Sequence, residues 1–140
     1  MADVVIVRDL SVQIAGAIDD AVKAALLDAA QAIASEAQES IRSRPKTGRT
    51  YRHPGGGSYV ASAPGEPPAN VTGALADSIT AQPEGEGASV TVTDPIAHTM
   101  EFGTAGGKIA PRPFLTPAVE AKRAQIDEII AGQVRARIGT

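Results

Sequence analysis

The apolar positions change period along this chain, and the changes divide it into elements. Val4-Val5-Ile6-Val7 is a β-branched run that predicts a short strand. From about Ser11 to Ile41 the spacing becomes helical: Ile18, Val22, Ala25, Leu26, Ala29, Ile33 and Ala37 fall in one broad stripe, with Asp20, Asp28, Gln31, Ser35 and Gln38 elsewhere. That pattern predicts a long amphipathic helix with Gly16 able to kink its start. Its alanines favour the helix and let neighbours approach closely. Periodicity then stops. Ten of the 27 positions from 44 to 70 are Gly or Pro, a density at which low-complexity behaviour is expected. A stretch this long without structure is uncommon inside a compact domain, so it is expected to be mobile or ordered by something outside its own chain.

Order returns at Thr72, which can cap a short helix over Gly73 to about Ser78. Ile79–Gln82 and Ala88–Thr93 read as two strands of a hairpin joined by Pro83-Glu84-Gly85-Glu86-Gly87. Ile96 to Phe102 fits two helical turns stopped by Gly103. Leu115, Val119, Lys122, Ile126, Ile129, Val134 and Ile138 trace a mostly apolar face of a second long helix. Thr116 is placed to cap it and Pro117 to open it, although it could equally start near Pro113. Arg135 and Arg137 complement the dipole of its last turn. The fold class expected is α+β, one domain over residues 1–140. Two long helices pack on a small antiparallel β-sheet, with a mobile, basic, Gly/Pro-rich loop at about 44–70.

Composition adds a constraint. With no Trp and only two Phe, the core must be built mostly from Ala, Val, Ile and Leu. Such a core is thin, which predicts a subunit completed by other chains. Both phenylalanines, Phe102 and Phe114, flank one loop. They are expected to pin it at each end, with Lys108 and Arg112 projecting from it. Cysteine is absent, which excludes disulfides and thiolate metal sites. No apolar run is long enough to span a bilayer, and Met1-Ala2-Asp3 lacks a basic leader region. The expectation is a soluble chain made in a cytoplasm.

The net charge of −3 conceals an asymmetry. Arg42, Arg44, Lys46, Arg49 and Arg52 fall in a segment with no acid between Glu39 and Glu66, which leaves eight cations against 16 acids elsewhere. An acidic body with one basic segment argues against a general nucleic-acid binder. Candidate chemistry is sparse. His53 lies in the Gly/Pro stretch, and His98 with Glu101 shares an i, i+3 spacing but lacks the further ligand a metal needs. Ser58 has no evident base, and Gly103–Lys108 lacks the Gly-Lys-Ser/Thr ending of a phosphate loop. The chain reads as non-enzymatic, with no cofactor.

Three blocks, in order, carry a resemblance. The first is Ala61-Ser62-Ala63-Pro64-Gly65-Glu66-Pro67-Pro68-Ala69, running into Thr72-Gly73-Ala74-Leu75-Ala76-Asp77-Ser78-Ile79. The second is Met100-Glu101-Phe102-Gly103-Thr104, and the third Pro111-Arg112-Pro113-Phe114-Leu115-Thr116-Pro117-Ala118. Together they resemble a family of neck proteins of long-tailed bacteriophages, described as tail-completion or head–tail joining proteins. The likeness covers nearly the whole chain. It implies an α+β subunit of a ring, sixfold favoured, at the head–tail junction of the virion. The ring would sit between the head-completion and tail-terminator proteins, around the genome channel. It also implies structural roles: Thr72, Gly73, Leu75 and Ser78 start the short helix, Glu101, Phe102, Gly103 and Thr104 turn the chain after the sheet, and Pro111, Arg112, Pro113, Phe114 and Leu115 set the last helix against the sheet.

For Arg42, Arg44, Lys46, Arg49 and Arg52 two contacts are open, the packaged DNA end or an acidic surface of a neighbouring subunit, beside a simply solvated loop. Alternative readings are a tail-terminator ring or another connector of the same particle and, from a different class, a non-viral regulatory or toxin-like protein.

Overall fold

A computed structural model describes the backbone of residues 3–8, 11–15, 20–52, 55–85 and 87–138, and the side chains from Lys23 onward except those at 130 and 133–138. The elements, in order, are β1 (Asp3–Arg8), β2 (Ser11–Ala15), α1 (Asp20–Arg42), β3 (Thr50–Arg52), β4 (Ser58–Val60), α2 (Ala74–Asp77), β5 (Ile79–Glu84), β6 (Gly87–Val92), α3 (Ala97–Phe102) and α4 (Leu115–Ile138). The class is mixed α+β. Four strands form an antiparallel sheet in the order β1-β2-β6-β5, and β3 and β4 form a separate two-stranded sheet.

The start of the chain differs from the helical expectation. Ser11–Ala15 is a strand, pairing with β1 on one side and with β6 on the other, Val12 opposite Val90 and Ile14 opposite Ala88. Alternation of Ser11 and Gln13 with Val12 and Ile14 is the strand period, and two partners outweigh a helical start that would have to pass through Gly16. Gly16 and Ile18 lie outside the described residues. The β5–β6 hairpin is tighter than expected. Strand pairing continues through Pro83–Ala88 to Glu84–Gly87, and Gly85 takes φ +57° at the turn. Pro83 is tolerated because β5 is an edge strand.

The layers differ from two long helices both packed on the sheet. α1 packs on β5 and β6 with one side and on α4 with another, so it forms the middle layer. Its alanines have a physical reason there. Leu26, Ala29, Ala30, Ile33 and Ala37 are all fully buried, while Asp28, Gln31, Ser35 and Glu39 form an exposed strip. A helix covered from two sides can have large side chains on only part of its surface if its neighbours are to pack at normal helix separations. Phe114, Leu115, Val119 and Ile126 close the core from the α4 side, and Ile79, Val90 and Val92 from the sheet. Gln38 ties the layers further, its Nε2 donating to the carbonyls of Ala76 at 3.2 Å and Ile79 at 3.1 Å.

Candidate functional site

The blocks that carry the family resemblance meet in space. Glu101, on α3, is only 4% exposed, and its carboxylate faces the first turn of α4. Oε1 accepts from the amides of Phe114 (3.1 Å) and Leu115 (2.8 Å), and Oε2 from the amide (3.1 Å) and hydroxyl (2.7 Å) of Thr116. The first amides of a helix have no partner within it, and the helix dipole favours negative charge at that end. One buried acid from a different element therefore caps α4. The local cap expected at Thr116 is displaced: the helix begins at Leu115, and the Thr116 hydroxyl donates to Glu101.

Arg112 draws the other blocks in. Its amide donates to the Met100 carbonyl, its Nε to the carbonyl of Ser62 at 3.2 Å, and its Nη1 to that of Ala110 at 3.0 Å. Gly65 donates to the Pro111 carbonyl at 3.0 Å. Far from projecting as expected, Arg112 is half-buried and holds three backbone segments together, whereas Lys108 is exposed. The loop between closes on Thr104, whose amide bonds the Ile109 carbonyl at 3.0 Å and whose Oγ1 accepts from Ile109 at 3.0 Å. Gly103 makes this possible with φ +74°, where a Cβ would lie 2.7 Å from the Ile109 oxygen.

Only one phenylalanine is an anchor. Phe114 is 1% exposed and sits in the core. Phe102 is 44% exposed and lies against the His98 ring, centroids 5.0 Å apart. His98 is exposed while Glu101 turns inward, so the i, i+3 spacing does not bring them to one site. Among the described residues no group of three or more His, Asp or Glu side chains is arranged to hold a metal. In the short-helix block, the helix starts one residue later than expected: Gly73, at φ +87°, takes the cap position in place of Thr72, whose Oγ1 accepts from Ala74 at 3.3 Å, and Leu75 packs on the core. Ser78 Oγ donates to Leu75 at 2.8 Å and accepts from Asp94 at 3.2 Å.

The segment expected to be mobile or ordered from outside makes bonds within its own chain at both ends. Glu66 accepts from the Thr47 hydroxyl at 2.6 Å, the Thr47 amide at 2.9 Å and the Ala63 amide at 2.7 Å. Those bonds, the Thr47 hydroxyl first, lower its pKa to about 2. Two backbone bonds cross the base of the β3–β4 hairpin, Gly48 donating to Ala61 and Ala61 to Arg49, both at 2.8 Å. A Cβ at Gly48 would lie 2.5 Å from the Ala61 oxygen.

The five cations separate into two groups. Arg42 pairs with Asp77, and Arg44 with Glu36 at 2.8 Å. Lys46 Nζ donates to the Ser40 (2.9 Å), Ile41 (3.4 Å) and Arg44 carbonyls, capping the end of α1, and burial lowers its pKa. Arg49 and Arg52 are exposed and form no ion pair among the described residues. They flank Tyr51, itself 47% exposed, which pairs with Tyr59 across the hairpin at 5.9 Å between rings. His53 lies outside the described residues. The ion-pair partners Glu36 and Asp77 were not singled out from sequence, since Asp77 lies 35 residues from Arg42 and leaves no local signal.

A cleft of about 360 Å³ separates the hairpin from α3, with Tyr59, Asn70, Thr72, Asp94, Ile96 and Met100 on its walls. No described helix is long and apolar enough to cross a membrane. Comparison with protein families, characterised proteins and solved structures finds no match.

Proposed function

We propose that this chain is a structural subunit of a bacteriophage neck, a tail-completion protein that assembles as a ring and joins the DNA-filled head to the tail. One observation supports the reading best. The three blocks that resemble the family converge on a single knot in which Glu101, Arg112 and Thr104 bond backbone groups and, for Glu101, also the Thr116 hydroxyl. Their chemistry is that of scaffold, and an assembly protein needs that where an enzyme would need a free acid, base or nucleophile. The two long helices and sheet form the body of the subunit, and the basic hairpin is an arm at its surface. Head-completion and tail-terminator proteins are the partners above and below, and the genome passes through the ring. An acidic body suits that passage, because neutralised phosphates are what make duplex DNA adhere.

The test is removal of the gene from the phage genome that encodes it. Lysates should contain DNA-filled heads and separate, complete tails, and the gene supplied in trans should restore joined particles. Tails of uncontrolled length would move the protein to the tail-terminator ring. Normal particles without the chain would end the neck reading.

A further inference from the structure

The outer end of the β3–β4 hairpin holds a set of hydrogen-bond donors that the fold does not use. Side chains alternate along a strand and cross-strand partners share a face, so Thr50, Arg52 and Ser58 lie on one face, with Ser58 directly opposite Arg52. Tyr59 lies on the other face and lines the cleft against α3, so the Arg52 face turns away from the body. Together with Gly56 and Gly57, and beside Tyr51, these three residues wall a cup of about 540 Å³. They bring to it a guanidinium, two hydroxyls and the two glycine amides, and no carboxylate lines it. Among the described residues none of these donors has a hydrogen-bond or ion-pair partner. Gly56 and Gly57 take φ +103° and +75°, and nothing lies within 4 Å of where a Cβ would stand on either, so a ligand can approach their backbone closely.

We propose that this cup takes a phosphate group of the DNA backbone. A phosphate offers acceptor oxygens on several sides, and guanidinium groups, hydroxyls and backbone amides are the donors that proteins turn toward it. The choice of DNA as the source of that phosphate rests on the neck reading, in which each subunit surrounds the genome. One cup holds one phosphate, so each arm makes a light contact on an otherwise acidic body, and the ring adds these contacts together. Such a ring retains the DNA end without gripping it along its length, because non-specific affinity grows with the number of phosphates neutralised. The contact reads no base edge, so it is independent of sequence.

The experiment is a titration of the isotope-labelled, full-length protein with a short blunt DNA duplex, followed by amide chemical shifts. The amides of Gly56, Gly57 and Ser58 should shift, and the affinity should fall with salt at a log–log slope of about 0.9, the value for one phosphate contact. Arg52→Ser should weaken binding by about tenfold through loss of the charged donor. Lys108→Ser, which removes an exposed cation elsewhere, should leave it unchanged. Inorganic phosphate should shift the same three amides and displace the duplex only at much higher concentration. The site is overturned if the duplex leaves those amides unmoved, or if Arg52→Ser binds as wild type does with the rest of its spectrum unaltered. Shifts caused by inorganic phosphate where the duplex causes none make free phosphate the ligand and overturn the DNA assignment. An unmoved hairpin, with heads and tails left unjoined after gene removal, rejects this site and keeps the neck assignment. Shifts that Arg52→Ser abolishes, with normal particles after gene removal, keep the site and end the neck reading.

Discussion

At the scale of single residues, two carboxylates hold this structure together in different ways. Glu101 is buried against four donors at the start of α4. Glu101→Ala should destabilise the fold by roughly 3–5 kcal/mol, since several buried donors lose a charged acceptor at about 1–3 kcal/mol each. Glu101→Gln should cost less, with one carboxamide group turned as a donor toward donors. Urea denaturation gives the magnitude. Amide exchange at Phe114, Leu115 and Thr116 shows whether the loss is local to the cap. Glu66 sits nearer the surface, and its effect is one of pH. Its folded pKa is lowered to about 2 from an ordinary 4.5, so it binds fewer protons folded than unfolded. The stability it contributes is complete above about 4.5 and disappears as pH falls through about 2. In an acid titration the amides of Thr47 and Ala63 should lose protection over that window in wild type. In Glu66→Gln they should be weakly protected throughout. The phenylalanines divide similarly. Phe114→Ala should cost about 3–5 kcal/mol as a core truncation, and Phe102→Ala less than about 1 kcal/mol as a surface one.

At the scale of elements, what could be read from the sequence followed how local the cause was. α2, α3 and the β5–β6 hairpin were legible because their signals, the Thr72-Gly73 turn, Gly103 and alternating Ser89-Val90-Thr91-Val92, lie within or beside them, although the cap of α2 falls on Gly73 rather than Thr72. β2 was not, because its five residues abut a helical stripe that can be extended backward in phase, and only pairing with β1 and β6 decides for a strand. The layer order was hidden too, since a stripe says which face is buried but not by how many neighbours. Its trace was the excess of alanine in α1. That gives a prediction at this scale: Ala29, fully buried in the middle layer, should reject a larger side chain. Ala29→Leu should cost about 1–3 kcal/mol by overpacking, read as a lower urea midpoint at unchanged slope, whereas Gln31→Leu on the exposed strip should leave the midpoint within error. The knot was half legible. The side chains that tie it, Glu101, Thr104 and Arg112, stood in the three blocks, but a cap reaching from Glu101 to Thr116 leaves no local signature, and Thr116 offered a plausible one of its own.

At the scale of the whole molecule, a body and an arm meet at one narrow place. Apart from the cleft it shares with α3, the hairpin joins the rest through the Gly48–Ala61 ladder, below which Glu66, Lys46 and Arg112 bind the segment to the core. None of Thr50, Tyr51, Arg52, Ser58 or Val60 is buried, so the arm contributes little to the core. A sequence run of five cations could not show this division, because the acids that neutralise Arg42 and Arg44 lie 35 and 8 residues away. Once they are paired, and Lys46 is bonded to the α1 carbonyls, Arg49 at the base of the hairpin and Arg52 on β3 are the cations of this run left exposed without an ion pair among the described residues. Replacing residues 50–60 with Asn-Gly should close the ladder with a two-residue turn of the kind hairpins favour. If the arm is dispensable to folding, the thermal midpoint should stay within about 4 °C of wild type, a shift that corresponds to no more than about 1 kcal/mol in a domain of this size. A collapse of the midpoint would instead make the hairpin part of the core.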